Sequence, residues 1–184
     1  IERMTSRSLS RAASVISEFK SIAVDQGSDD IRAISLKAYL EEVVHTISPK
    51  FKHTPYDIEL DVQDSICIKT HPGAIFQIVT NLALNSLVHG FDGRDHGTIK
   101  ISSQKQANYI SMDICDDGCG IPEEIQSRIF EPFVTTKRGK GGSGLGLSIV
   151  HQLVHDKLEG EISFTTDANK GTCFNIVIPI TLST

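Results

Sequence analysis

The stretch from residue 116 to residue 147 restricts the fold of this chain more than any other part of the sequence. It reads DDGCGIPEEIQSRIFEPFVTTKRGKGGSGLGL, with glycines at positions 118, 120, 139, 141, 142, 144 and 146. Glycine at this density is typical of a backbone that turns with positive φ or lets another group approach its amides closely. An apolar-periodic segment, LSIVHQLV, follows, so we expect free N–H groups at a helix start, where the dipole favours an anion. The pattern predicts a loop that closes over phosphate, as a nucleotide lid does.

Composition and charge indicate one hydrophobic core with a helical extension. The chain has 184 residues, is 39% hydrophobic and carries a net charge of −5 without a long basic run, which argues against nucleic-acid binding. No apolar run approaches the roughly 18 residues that cross a bilayer, and the start lacks the apolar centre of a signal peptide. We expect a cytoplasmic fragment without direct membrane contact. Its start at Ile1 indicates missing upstream sequence, which leaves a membrane anchor in the parent protein open.

The four cysteines do not match a zinc site, because no CxxC pair occurs. Cys67, Cys115 and Cys173 alternate with other residues in strand-like runs, and we expect them to be buried, reduced thiols. Cys119 lies inside the DDGCG turn, where a small residue fits.

Residues 1–26 predict a long helix of the coiled-coil type. Apolar residues recur at alternating intervals of three and four, namely at Leu9, Ala12, Ile16, Phe19 and Ala23. A seam of this length is marginal alone, so we expect a partner helix; an amphipathic helix folded onto its own domain is the alternative. The polar residues 27–34 are interpreted as a linker, and residues 35–184 as one domain.

The remaining pattern predicts helices separated by pairs of strands. Ser35 is the expected N-cap of a helix, and a second helix starts at Pro72 and ends at Gly90. A third helix starts at position 143 or 144, and strand pairs are expected at 57–62 and 66–70, 98–104 and 109–116, and 160–167 and 171–180. This order predicts an α/β two-layer sandwich: a mixed, mainly antiparallel sheet with helices on one face.

A polar stripe runs along the helix that starts at Pro72. Its members recur every four residues: Gln77, Asn81, Asn85 and His89. Asparagines on a largely apolar helix are costly unless their amides find partners. Their carbonyl oxygens suit Mg²⁺, which takes few protein ligands and completes its shell with water and phosphate. Taken alone, the stripe favours a capping or solvated role; the downstream lid favours the metal.

Asp116 stands at the end of a predicted strand, directly before a glycine turn. The stretch lacks the further oxygens and the glutamate of a calcium loop. A carboxylate beside Ile114 and Ile121 would suit an exocyclic amine such as that of adenine. The alternative is that Asp116 and Asp117 only cap the next turn.

Lys137 and, more weakly, Arg138 stand just before the glycines, where a cation would meet phosphate oxygens. The loop is not a Walker A loop, because GxxxxGK[ST] does not occur. It also does not follow a strand directly, as a dinucleotide fingerprint would.

Five segments together resemble the ATP-binding domain of sensor histidine kinases, the Bergerat fold shared with gyrase, mismatch-repair ATPases and a heat-shock chaperone. NLALNSLVH at 81–89 resembles the N box, DDGCG at 116–120 the first glycine box and IFEPFVTTK at 129–137 the F box. GGSGLGL at 141–147 resembles the second glycine box, and GTCFNIVIP at 171–179 the last. The resemblance covers residues 35–182, and the order of the five motifs makes chance agreement improbable.

The resemblance implies roles for individual residues. Asn85 would be the Mg²⁺ ligand, with Asn81 and His89 beside the phosphates as further catalytic residues. Asp116 would bind the adenine amine. The implied nucleotide-binding set is completed by Gly118, Gly120, Ile121, Lys137, Gly142, Gly144, Leu145, Gly146 and Thr172.

The implied activity is transfer of the ATP γ-phosphoryl group to a histidine, for relay to the receiver domain of a response regulator. Hydrolysing relatives place a glutamate one turn before the metal asparagine, where this chain has Asn81, and an amide cannot act as a base. We therefore expect poor hydrolysis. Residues 1–26 would be the second helix of a dimerisation hairpin that forms a homodimer in the parent protein. They contain no histidine, and His45 is followed by Thr46, so we expect the acceptor upstream of Ile1 and no autophosphorylation.

Two other functions remain open on the sequence. One is a non-catalytic regulator that keeps the nucleotide fold, against which Asn85, Asp116 and the glycines argue. The other is a serine-protein kinase of the anti-sigma type, a group that typically lacks a hairpin helix such as residues 1–26.

Overall fold

The computed structural model describes residues 31–137, 142–168 and 170–182. The helix predicted over 1–26 and the candidate phosphate contact at position 138 lie outside these residues. The helices are α1 Leu36–Ile47, α2 Pro72–Asn85, α3 Glu123–Gln126 and α4 Gly146–Gln152; π turns extend α2 over Ser86–Gly90 and α4 over Leu153–Lys157. The strands are β1 Arg32–Ser35, β2 Tyr56–Asp61, β3 Cys67–Thr70, β4 Gly97–Gln106, β5 Tyr109–Asp116, β6 Glu161–Asp167 and β7 Gly171–Pro179.

The main sheet has five strands in the order β2-β4-β5-β7-β6. β2 pairs with β4 in parallel, and every other neighbouring pair is antiparallel. The short hairpin turn between β4 and β5 is tight, with Ala107 at a φ of 48°. The prediction of a mixed, mainly antiparallel sheet is confirmed.

The helices cover one face of this sheet. In β4, Ile99 and Ile101 are fully buried while the intervening Lys100 is exposed, as the period of two in a strand requires. The covering helices bury their apolar stripes in the same core, for example Leu40 of α1 and Ile78 of α2. Each such side chain contributes roughly 1.5–3 kcal/mol by leaving water. The two-layer sandwich expected from the sequence is therefore the observed architecture.

The last residues of the predicted linker are a strand instead. β1 pairs antiparallel with β3, placing Ile34 opposite Ile68. This two-stranded sheet was missed because RAIS is short and mostly exposed, and its partner follows only after α1 and β2. Ser35 does precede α1, as expected of an N-cap, but its side chain makes no capping hydrogen bond.

The expectation that three cysteines are buried, reduced thiols is wrong. Cys115 and Cys173 lie directly opposite each other in β5 and β7 and form a disulfide. Cys67 and Cys119 are exposed free thiols. The strand alternation was read correctly, but the residues between the core positions project from the open face of the sheet, so alternation there brings two thiols together instead of burying them.

Candidate active site

A cavity of about 1240 Å³ opens between α2, the turn after β5 and the glycine-rich segment that leads into α4. Most small-ligand sites have volumes of roughly 300–1,000 Å³. The somewhat larger volume of this cavity suits a nucleoside triphosphate. Most of the predicted residues line it: Asn81, Asn85, His89, Asp116, Gly120, Ile121, Lys137, Gly142, Gly144, Gly146 and Thr172. Gly118 and Leu145 are not in its wall.

The carboxylate of Asp116 is held from three sides at the end of β5. Its Oδ1 accepts hydrogen bonds from the backbone amides of Gly118 at 3.0 Å and Thr172 at 3.2 Å. Its Oδ2 accepts a hydrogen bond of 2.8 Å from the hydroxyl of Ser86. Three donors around one partly buried carboxylate fix its orientation.

Gly118 supports this carboxylate from behind. A Cβ on Gly118 would stand 2.4 Å from the carbonyl oxygen of Gly90 and 2.7 Å from Asp116 Oδ1. Only glycine leaves the room that the contact needs. The structure therefore gives Gly118 a supporting position beside Asp116, not a place in the cavity wall.

Two threonines close the same end of the cavity. Thr166 Oγ1 accepts a hydrogen bond of 2.9 Å from the amide of Ile121 and lies 3.0 Å from Thr172 Oγ1. Gly120 has a φ of 79°, and a Cβ there would stand 2.5 Å from the carbonyl oxygen of Asp167. The turn after β5 is thereby fastened to the β6–β7 hairpin.

The side-chain amides of α2 line the cavity, and that of Asn85 lies beside the glycine-rich segment. The Nδ2 atoms of Asn81 and Asn85 are buried, and neither has a hydrogen-bond partner among the described residues. Each unsatisfied buried polar group costs roughly 1–3 kcal/mol. The positions expected to flank phosphates therefore carry amides that a polar ligand would satisfy.

The residues in this part of the cavity fit Mg²⁺ better than a softer metal. No cluster of three or more His, Cys, Asp or Glu side chains suited to a metal occurs in the described parts of the chain. A single neutral carbonyl oxygen, such as Asn85 Oδ1, is the kind of protein ligand that Mg²⁺ combines with water and phosphate oxygens. The first residue of α4, Gly146, lies next to this oxygen: a Cβ added there would stand 3.4 Å from Asn85 Oδ1.

His89 and Lys137 connect the end of α2 to the lid. His89 Nδ1 lies 3.0 Å from Thr136 Oγ1, and the Lys137 ammonium forms an ion pair with Asp92. Burial lowers the pKa of His89 below 6.5, as does the nearby Lys137, against an opposing effect of Asp92. Both effects favour the neutral imidazole of His89. The cationic side chain at this place is Lys137.

The base of the lid is anchored by Gly144 and Leu145. The carbonyl oxygen of Gly144 accepts a hydrogen bond of 2.8 Å from the amide of Phe133. Gly144 has a φ of 76°, and a Cβ there would stand 2.6 Å from the carbonyl carbon of Phe133. Leu145 is 7% exposed and does not line the cavity.

Ser86, Gly90 and Thr166 are among the residues of the cavity wall that were missed from the sequence. Ser86 directly follows Asn85 on the same helix, and that position was the only available signal. The contact between Ser86 and Asp116 joins residues 30 positions apart and has no local pattern.

Comparison with known proteins identifies the family. Residues 70–182 match the family described as histidine kinase-, DNA gyrase B-, and HSP90-like ATPase. This chain is a member of that ATPase family. The matched range contains the whole cavity wall except Lys50.

Among the relatives of this ATPase domain are sensor kinases of bacteria. It is 33% identical over 143 residues to the adaptive-response sensory kinase SasA of Gloeothece citriformis, covering 76% of this chain and 35% of the relative. It is 35% identical over 152 residues to the signal transduction histidine-protein kinase BarA of Escherichia coli, covering 76% of this chain and 16% of BarA. The chain therefore spans about a third or less of these relatives.

A solved structure gives the same answer for the fold. The catalytic domain of histidine kinase ThkA, in a nucleotide-free form, superposes with a TM-score of 0.71 and 27% identity, covering 84% of this chain and 99% of that one. The chain corresponds to the ATP-binding catalytic domain of sensor histidine kinases. Neither the anti-sigma kinase nor the non-catalytic regulator is favoured by these relatives.

Proposed function

We propose that this domain binds ATP with Mg²⁺ in the cavity and transfers the γ-phosphoryl group to a histidine of its parent kinase. The observation that supports this most is that one cavity holds two unlike polar groups. A fixed carboxylate, Asp116, lies where β5 ends, and the unsatisfied amides of Asn81 and Asn85 lie on α2. In the proposed complex these are the carboxylate end and the amide end.

The carboxylate end would recognise adenine. The 6-amino group of adenine donates hydrogen bonds, whereas the 6-oxo group of guanine only accepts them. Asp116 would accept from the amine, Gly120 and Ile121 would form one wall of the pocket, and Thr172 would close it beside Thr166. Gly118 would act by holding the carboxylate.

The amide end would hold the phosphates. Asn85 would be the protein ligand of Mg²⁺, and a bound Mg²⁺ would neutralise phosphate charge. Asn81 and the neutral His89 would donate hydrogen bonds to phosphate oxygens. The glycines at 142, 144 and 146 would let the lid backbone approach the phosphate tail, with Leu145 as its anchor.

Lys137 would change partners when ATP binds. Its ammonium is paired with Asp92, and its side chain is only 18% exposed. A triphosphate in the cavity carries more negative charge than one carboxylate, so it would compete for this cation. The exchange couples the lid to the nucleotide.

Phosphoryl transfer needs positioning more than covalent help from the domain. An imidazole nitrogen of the acceptor attacks the γ-phosphorus, the bond to the bridging oxygen breaks, and ADP leaves. Asn81 cannot take a proton from water, so hydrolysis has no base at this position. Among the histidines in the described residues, His89 alone lines the cavity, and its place beside Lys137 suits phosphate binding.

The parent kinase would pass its phosphoryl group to the receiver domain of a response regulator. The kinship with two-component sensor kinases supports this partner, and we propose a homodimer formed through a hairpin that includes residues 1–26. In the described ranges, no helix combines the length and apolar character needed to cross a membrane. We propose a cytoplasmic location for the domain, without contact to a membrane or to nucleic acid.

The full-length parent incubated with labelled ATP and Mg²⁺ tests the proposed transfer. We expect protein-bound phosphate that is lost in acid, as phosphohistidine is. Asn85→Ala in the parent should abolish labelling, and in the domain it should weaken ATP binding with Mg²⁺ while changing little in EDTA. Acid-stable phosphate would support the serine kinase instead. Unchanged Mg²⁺-dependent affinity would remove Asn85 as the metal ligand.

A further inference from the structure

We propose that Ser86 is a positioning residue for adenine: its hydroxyl orients the Asp116 carboxylate so that one acceptor site of Oδ2 points at the 6-amino group. This inference depends on the proposed role of Asp116 and goes beyond it. Ser86 is 5% exposed, lies at the first residue of the π turn after α2 and borders the cavity.

The hydrogen-bond capacity of the carboxylate carries the inference. Each carboxylate oxygen accepts about two hydrogen bonds. Oδ1 already accepts two, from the amides of Gly118 and Thr172, whereas Oδ2 accepts one from Ser86 within the described residues. The one unused hydrogen-bond acceptor site of the carboxylate is therefore on Oδ2, the oxygen that Ser86 contacts. One further donor fits there, and an exocyclic amine supplies it.

The serine proton goes to Asp116 and not to the helix backbone. Ser86 Oγ lies 2.8 Å from Asp116 Oδ2 and 3.2 Å from the carbonyl oxygen of Leu82. A hydroxyl has one proton, and a charged acceptor at the shorter distance forms the stronger bond. The π turn also contains Gly90, which lies beside the same carboxylate. A Cβ added to Gly90 would stand only 3.2 Å from Asp116 Oδ1. The same turn thus supplies the donor and the space for the carboxylate.

The test is a thermodynamic cycle in which the Ser86 hydroxyl of the protein and the 6-amino group of the ligand are removed separately and together. Dissociation constants are measured by calorimetry for ATP and for purine riboside triphosphate, which has hydrogen in place of the 6-amino group. We expect Ser86→Ala to weaken ATP binding by about tenfold, as the loss of a bond to a charged group would. Binding of purine riboside triphosphate should change by less than about twofold, because that ligand does not use Oδ2.

Two further variants keep the test decisive. Ser86→Cys preserves the packing but offers only a weak donor, so the same ligand-dependent loss is expected even if Ser86→Ala does not fold. Ser148→Ala is the matched control, because Ser148 Oγ donates to the carbonyl oxygen of Leu145 at 2.9 Å and does not contact Asp116. It should leave both affinities unchanged.

The outcomes separate this inference from the function on which it depends. If the unaltered domain binds both ligands equally, the contact between Asp116 and the amine is wrong. If it prefers ATP but the Ser86 variants lose equal affinity for both ligands, or lose none, Ser86 has only a packing role and the inference is overturned.

Discussion

At the scale of single residues, the site contains a carboxylate whose partners are fixed before any ligand arrives. Asp116 is held by two backbone amides and one hydroxyl, so little reorganisation is needed when an amine binds. Asp117, its neighbour, is instead turned away from the cavity: it is exposed and accepts a hydrogen bond of 2.8 Å from the amide of Thr98.

Replacing Asp116 should therefore remove adenine selectivity. We expect Asp116→Ala to weaken ATP binding by at least tenfold, in proportion to a lost charge-assisted hydrogen bond, and to bring the affinities for ATP and GTP close together. Competition titrations with the two nucleotides measure this. Asp117→Ala is the control and should keep the preference for ATP. A preference that survives in Asp116→Ala would show that adenine is recognised elsewhere.

His89 should titrate below the ordinary histidine pKa of 6.5, because burial and Lys137 both lower its pKa. The unfolded chain then binds this proton more readily than the folded one. The His89 contribution to stability is complete above pH 6.5 and is lost as the pH falls through the lowered pKa. NMR titration of the imidazole measures the pKa, and His89→Gln should flatten this part of the pH dependence of unfolding. A pKa at or above 6.5 would contradict the buried environment.

The sequence predicted single residues best where one residue type has one use. Asn85, Asp116 and Gly144 were found because amide, carboxylate and glycine each stood in a motif with a chemical need. Ser86 was missed because a serine on a helix has many uses, and its partner is distant in sequence. Gly118 was placed in the nucleotide-binding set because a turn glycine can face a ligand or a neighbouring backbone, and the sequence does not distinguish them.

At the scale of elements, the lid is joined to the domain through a glycine whose conformation is unfavourable for other residues. Gly144 has a φ of 76° and stands against the backbone of Phe133. The contact places the start of α4 beside Asn85, so an altered lid base should change the phosphate end of the cavity.

Gly144→Ala should accordingly reduce ATP affinity. Positive φ costs a residue with a Cβ roughly 1–2 kcal/mol, and the added methyl would also displace the segment at Phe133. Gly93→Ala is the matched control, since Gly93 has a φ of 73° with open space around the added atom. Both variants should lower the melting temperature, and only Gly144→Ala should weaken ATP binding. Equal affinities in the two variants would contradict the role of the lid base.

The secondary structure was predicted where the hydrophobic period was long enough to be unambiguous. The β4–β5 and β6–β7 hairpins alternate over several residues, and α2 has a full apolar stripe. β1 was not predicted, because it has only four residues, too few to show a hydrophobic period, and it pairs with a strand distant in sequence. The disulfide between Cys115 and Cys173 was not predicted, because it depends on the register between β5 and β7. These strands are distant in sequence, and no local pattern determines their register.

At the scale of the whole molecule, the proposed function predicts slow hydrolysis of ATP by the domain. No base stands one turn before Asn85, where the chain has Asn81. We expect phosphate release from ATP by the domain to be far slower than the roughly 1–100 per second of kinase turnover. A coupled phosphate assay measures this, and Asn81→Glu, which introduces a carboxylate, should raise the rate. Rapid steady release by the unaltered domain would contradict the assignment.

The architecture of the whole domain followed from the order of helices and strands, because that order allows few sheets. The expected pairing of the strands at 57–62 and 66–70 is wrong, since β2 pairs with β4 and β3 pairs with β1. The parallel pairing of β2 with β4 did not follow, since it joins strands separated by β3 and α2. The position of the cavity followed from the same order, because Asn85 ends α2, Asp116 ends β5 and the glycine segment leads into α4. All three line the cavity.

The central claim is that one cavity holds Mg²⁺-ATP, with adenine at Asp116 and phosphates between α2 and the lid. A crystal structure of the domain with Mg²⁺ and a non-hydrolysable ATP analogue tests it most directly. The account predicts the 6-amino group within hydrogen-bond distance of Asp116 Oδ2 and the metal on Asn85 Oδ1. A nucleotide bound outside this cavity, or bound with its phosphates at Asp116, would contradict it.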